Sequence, residues 1–188
     1  MTKIFKIFKG CHYPFPLDFG GLKSIVGIFR PKDCYSFSGV YKFDKSCEYS
    51  LDCGDQSDVN KLVGISFGFH HKNSVRVGWR YKDGVIEICY YAYQNSKRLP
   101  TIVIGTVDLD SLFTLDINIG RRSKDVEILL RAQNREPIIK TFVYELPSNK
   151  TYLSYGLGIY FGGNRTAPHT MTIERQVDIA KIIHIEAD

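Results

Sequence analysis

Phe113-Thr114-Leu115-Asp116-Ile117-Asn118-Ile119 alternates apolar and polar residues without a break. In an extended chain successive side chains point to opposite faces, so Phe113, Leu115, Ile117 and Ile119 share one face and Thr114, Asp116 and Asn118 the other. That is a strand with one buried and one wet face, the pattern of antiparallel sheets. Residues 34–43, Cys-Tyr-Ser-Phe-Ser-Gly-Val-Tyr-Lys-Phe, put Tyr35, Phe37, Tyr41 and Phe43 on one parity. Similar runs recur at 3–8, 62–69, 74–81, 85–93, 101–107, 125–131, 138–145, 152–161, 169–175 and 178–186. Turn residues separate them, as in Asn134-Arg135-Glu136-Pro137, Pro147-Ser148-Asn149 and Gly162-Gly163-Asn164. The sharpest is Asp83-Gly84, because both central positions of a tight hairpin need residues that tolerate positive φ. About a dozen short strands at this spacing predict an all-β fold, a two-sheet antiparallel β-sandwich. The only helix expected is a turn near 56–61.

Composition agrees. The chain has 188 residues, 44% of them hydrophobic and 13% aromatic, with 12 Tyr and 12 Phe. That mixture suits pleated, half-buried surfaces, and the length suits one domain over 1–188. The net charge of +5 is spread along the chain with no Lys/Arg block, so no nucleic-acid partner is expected. The N-terminus, Met1-Thr-Lys-Ile-Phe-Lys, lacks the apolar run of a signal peptide, and no stretch is apolar enough to span a bilayer. The expectation is synthesis in a bacterial cytoplasm with no membrane partner. Five cysteines without an export signal read as free thiols, and Cys47 and Cys53 are too far apart for a zinc knuckle. No cofactor and no metal are expected.

Three segments hold the chemistry-bearing residues. From Asp58 to Tyr81 the sequence gathers His70, His71, Asn73, Arg76, Arg80 and Tyr81. Arg76, Gly78 and Arg80 share one parity, and Val75, Val77, Trp79 and Tyr81 the other, so the arginines face together, away from the apolar set. A row of guanidinium groups beside a histidine pair suits uronate or sulfate, and pairing with a neighbouring carboxylate such as Glu87 is the simpler structural role. Adjacent histidines in a strand point to opposite faces and do not share a metal easily. From Tyr160 to Ile173 a Gly-Gly-Asn turn and Ala-Pro-His present Asn164 and His169 at one end of the sandwich. Asp108 and Asp110 stand at i and i+2, as paired catalytic acids can, yet the following Ser111 reads as turn chemistry. The Pro- and Gly-rich stretch 10–21 carries Tyr13, Phe15 and Phe19, either a surface platform or a loop that packs over the sandwich. Hydrolase, zinc-protease, P-loop and dinucleotide motifs are all missing.

The run from Asn60-Lys-Leu to Gly78-Trp-Arg-Tyr81, the Tyr-rich stretch 90–93 and Tyr160-Phe-Gly-Gly-Asn…Ala-Pro-His169 resemble proteins of Bacteroides-type bacteria and their phages, crAss-like phages included. Those look like concanavalin A-like jelly rolls, the sandwich of lectins and several polysaccharide enzymes. The resemblance covers about residues 58–175 and implies a jelly roll. Laminarinase-like enzymes carry Glu-x-Asp-x-Glu, which this chain lacks. Alginate-lyase-like enzymes carry Gln-x-His and Tyr-Phe-Lys-x-Gly-x-Tyr, whereas Tyr160-Phe161 is followed here by Gly-Gly-Asn.

The expectation is therefore a non-catalytic virion protein of a tailed phage, in the collar, tail or capsid surface. Its partners would be other virion proteins, further copies of itself and host surface glycans. One alternative is a lyase-like polysaccharide enzyme with Arg76, Arg80, Tyr81 and His70 or His71 in its groove. The other is an intracellular carbohydrate-binding module.

Overall fold

A computed structural model describes residues 2–18, 34–51, 54–120, 122–147 and 154–176. Phe19, Cys53, the Pro147-Ser148-Asn149 turn beyond Pro147 and the strand expected at 178–186 lie outside them. The described strands, in chain order, are β1 (Thr2–Ile7), β2 (Pro14–Phe15), β3 (Cys34–Phe43), β4 (Asn60–Phe67), β5 (Ser74–Lys82), β6 (Val85–Gln94), β7 (Lys97–Arg98), β8 (Ile102–Val107), β9 (Leu112–Gly120), β10 (Asp125–Ala132), β11 (Ile138–Val143), β12 (Ser154–Leu157) and β13 (Met171–Gln176).

They form two antiparallel sheets. The seven-stranded sheet runs β11-β10-β9-β3-β13-β1-β2, and the six-stranded one β12-β4-β5-β6-β7 with β8 also on β6. The alternation of 113–119 is realised in β9: Phe113, Leu115, Ile117 and Ile119 are buried, and the residues between them are not. Asp83 and Gly84 close the β5–β6 hairpin with φ of +50° and +86°, the doubly positive turn whose twist matches the strands it joins. The helical turn expected at 56–61 is displaced. A 3-10 turn spans Gly54–Ser57, and Asn60 and Lys61 already belong to β4. A second 3-10 turn, Lys45–Cys47, starts where the Asp44 carboxylate accepts from the Ser46 amide at 2.7 Å.

The inner faces meet in one apolar core. At its centre Trp79 lies 4.9 Å from the Phe43 ring, 6.0 Å from Tyr49 and 6.3 Å from Phe161. Each large side chain buried there contributes about 1.5–3 kcal/mol. At the rim of the seven-stranded sheet, edge strand β11 leaves Ile139 and Val143 exposed, while the opposite edge, β2, has only two residues.

At one end the sheets are tied together. The buried Asp18 carboxylate meets both terminal nitrogens of Arg175 on β13 at 3.0 Å and accepts the Ile159 amide, just past β12, at 3.1 Å. The four described cysteines Cys11, Cys34, Cys47 and Cys89 are free thiols.

Candidate functional site on the outer face of the six-stranded sheet

Val75, Val77 and Trp79 of β5 enter the core, so Ser74, Arg76, Gly78 and Arg80 face outward. On β6 the outward set is Glu87, Cys89, Tyr91 and Tyr93, because Ile86, Ile88, Tyr90 and Ala92 are in the core. β4 is irregular. A bulge between Lys61 and Val63 lets Leu62 and Val63 both enter the core, and the outward residues become Lys61, Gly64 and Ser66. A bulge re-aims side chains, and here it turns a lysine out of the core parity.

Register then assembles a cluster. Gly64 pairs with Arg76 and Arg76 with Tyr91. Lys61 is bridged to Tyr160 by reciprocal backbone bonds of 2.7 and 3.0 Å. Lys61 is 8% exposed. Its ammonium donates to the Gly162 carbonyl at 3.1 Å and lies 4.8 Å from the Tyr91 ring centroid and 5.9 Å from that of Tyr160. Gly162 has φ of +76°, and a β-carbon there would fall 2.0 Å from the Arg165 carbonyl oxygen, so only glycine builds this turn. Arg76 donates from Nη2 to the Gly158 carbonyl at 3.1 Å, and its buried Nε has no hydrogen-bond partner. Among the described residues neither Lys61 nor Arg76 forms an ion pair with a carboxylate. His12 stacks on Tyr160 with centroids 4.9 Å apart and planes 1° apart, and Tyr13, 62% exposed, meets Tyr160 edge-on at 5.1 Å.

Proton affinities follow from this packing. Burial, and then the charge of Arg76, bring the Lys61 ammonium down to about 8, with Asp58 pulling the other way and Arg98 adding a smaller push down. Burial lowers Arg76 to about 10, still charged at neutral pH. Burial, followed by hydrogen bonding with Tyr93, pushes Tyr91 up to about 12, and burial raises Tyr160 as well. The site thus offers a fixed cation, an amine that loses its proton just above neutrality, and phenols that keep theirs.

The residues singled out from the sequence divide. Arg76 stands at the centre. His70 and His71, rings 4.2 Å apart, lie in the β4–β5 loop at one end of the same face. Burial first, then His71 and Arg76, lowers the affinity of His70 for a proton. Arg80 faces outward but is ion-paired to Glu87 at 2.6 Å and donates to the Ser57 carbonyl at 2.9 Å. Tyr81 leans toward the core beside Tyr49, 6.3 Å between centroids, and so leaves the groove in which the lyase alternative placed it. Asn73 is buried and accepts the Asn95 amide at 3.0 Å. His169 is held to the Ser46 carbonyl at 2.8 Å beside β13, and Asn164 is exposed on the turn after Gly163. Asp108 pairs with Arg135 at 2.6 Å and Asp110 sits in a turn at φ of +57°, so they form no acid pair. Lys61, Tyr91, Tyr160 and His12 were not anticipated as site residues. Lys61 carried one signal, the only charged residue in a strand that is otherwise apolar but for Asn60 and Ser66.

No protein-family model matches the chain, and no curated protein matches it in sequence. Solved structures do match. The alginate lyase vAL-1 from Chlorella virus is similar at TM-score 0.55 and 14% identity, over 92% of this chain and 81% of its own. The exolytic PL7 alginate lyase AlyA5 from Zobellia galactanivorans matches at 0.50 and 11%, over 78% and 73%. The alginate lyase from Klebsiella pneumoniae matches at 0.49 and 11%, over 74% of this chain, which spans only 56% of that enzyme. Legume lectins share the architecture at lower scores. The fold is thus a two-sheet jelly roll, the one shared with the alginate lyases vAL-1 and AlyA5. The expectation of a non-catalytic protein is corrected here, because the structures matched at 0.50 and above over most of the chain are both alginate lyases.

Proposed function

We propose that the protein binds an acidic, uronate-bearing polysaccharide across the outer face of the six-stranded sheet and cleaves it by β-elimination. The observation that carries this reading is the pair of buried cations, Lys61 and Arg76, which form no ion pair among the described residues and lie under a layer of tyrosines. Buried cations without counter-charges are costly, and a ligand carboxylate relieves that cost.

In this reading Arg76 pairs with the uronate carboxylate and makes the neighbouring C–H more acidic. Neutral Lys61 takes the proton from C5, the C4–O bond to the next sugar breaks, and a C4=C5 double bond forms. Tyr91 or Tyr160, both protonated at neutral pH, gives a proton to the departing oxygen. The base must be neutral, so the rate should climb as pH rises through about 8.

The test is ultraviolet absorbance of the new double bond on incubation with alginate, other uronate polymers and neutral polysaccharides. A rise on uronate polymers alone is expected. Lys61→Met should slow it about 100-fold or more, the usual worth of a general base. Binding without any absorbance rise removes the elimination step, and no binding to any uronate polymer overturns the reading.

The place on a phage particle implied by the sequence resemblance, and self-association there, are part of this proposal. A viral alginate lyase of this fold is a precedent, and mass spectrometry of intact particles from the source culture is the check.

A further inference from the structure

The line of rings does not end at Tyr91. Tyr93, two residues along β6, meets Tyr91 edge-on at 5.9 Å and stacks on His71 at 5.3 Å. Beyond them an open depression of about 470 Å³ is lined by Phe69, His71, Lys72, Tyr93 and Ser96.

Its rim is held by the backbone. The Lys72 and Asn73 amides donate to the Phe69 carbonyl at 2.8 and 3.0 Å, and the Ser96 amide donates to the Lys72 carbonyl at 2.9 Å. The Asn95 amide reaches the Asn73 side chain at 3.0 Å. Loop 68–73 and turn 95–96 are therefore one braced unit. From that unit Phe69 projects 80% exposed, and Lys72 is exposed with no ion pair among the described residues.

We propose that this depression is a remote subsite for the same acidic chain, where Phe69 and Tyr93 stack on a sugar ring and Lys72 pairs with its carboxylate. The inference rests on the reading of the Arg76 face above. Aromatic rings suit the C–H faces of sugars, and a mobile ammonium on a rigid rim suits a carboxylate whose position varies. Occupancy needs a chain long enough to run from Arg76 past Tyr93, so the subsite favours long substrates over short ones.

Calorimetric titration of the full chain with a uronate disaccharide and a hexasaccharide tests this. The double variant F69A/K72A changes two exposed side chains, and its fold is checked by circular dichroism. It should bind the hexasaccharide about tenfold more weakly and the disaccharide unchanged. Arg76→Met should weaken both. If F69A/K72A weakens neither ligand, or both equally, the remote subsite is overturned while a loss in Arg76→Met keeps the central site. If F69A/K72A loses the hexasaccharide and Arg76→Met does not, the depression binds the chain on its own, and both the reading of the Arg76 face and the subsite's remote role fall. If the unaltered protein binds neither ligand, both fall.

Discussion

Lys61 holds its charge largely against its surroundings: one carbonyl accepts from it and two aromatic faces lie over it, while Arg76 opposes the charge and Asp58 supports it. The unfolded chain keeps the proton up to the ordinary lysine value of 10.5, the folded chain only to about 8. Below pH 8 both states are protonated and the full cost of the buried charge is felt. Between about 8 and 10.5 only the unfolded state holds the proton, so this group makes stability rise with pH. Cys47 and Cys89 act the other way. Burial raises both thiols above their ordinary 9.0, Cys89 to about 11, so their contribution is lost as pH rises past 9. A comparison with Lys61→Met separates the two. The stability of the methionine variant relative to the parent should be highest below pH 8 and fall by about 3 kcal/mol by pH 10.5, measured by denaturant titration across that range. A difference that stays flat would mean that Lys61 titrates normally. Arg76 was legible from parity alone, because β5 is regular. Lys61 was not: strict alternation puts it with Val63, Ile65 and Phe67 in the core, and a bulge cannot be seen in side-chain periodicity.

At the level of elements, glycines with positive φ mark the turns, and two of them make a graded comparison. Gly84 has open space around its missing β-carbon, so Gly84→Ala pays only for backbone strain, about 1 kcal/mol. Gly162 adds a 2.0 Å collision with the Arg165 carbonyl, so Gly162→Ala should lose clearly more, about 2–3 kcal/mol. It should also release the carbonyl that accepts from the Lys61 ammonium, and losing that bond to the charged form lowers the Lys61 proton affinity further. Equal losses from the two substitutions in urea titrations would contradict the clash. Asp83-Gly84 was legible because turn chemistry is local. The order of strands was not. β3 pairs with β9 and β13, partners about 70 and 130 residues away along the chain, and long-range pairing depends on which faces fit, not on any short motif. The 3-10 turn capped by Asp44 was legible in principle, as an acidic residue two positions before Ser46.

Across the whole molecule, the Asp18–Arg175 pair is a polar tie between the sheets beside their shared apolar core. Removing one partner leaves a charge stranded in the interior. Asp18→Ala should cost about 3–5 kcal/mol, while replacing both residues with Leu and Met should recover much of it. Denaturant titration of the parent and the two variants checks this, and a loss in Asp18→Ala under about 1 kcal/mol would show that solvent reaches the guanidinium. The unequal rims of the seven-stranded sheet have a consequence for self-recruitment. Edge β11 offers six residues with Ile139 and Val143 bare, and the far edge offers two. Of the two described edges of this sheet, a neighbour that joins strand to strand finds the longer template at β11. Joining there antiparallel consumes the β11 template on both molecules, so growth through that edge closes at a pair.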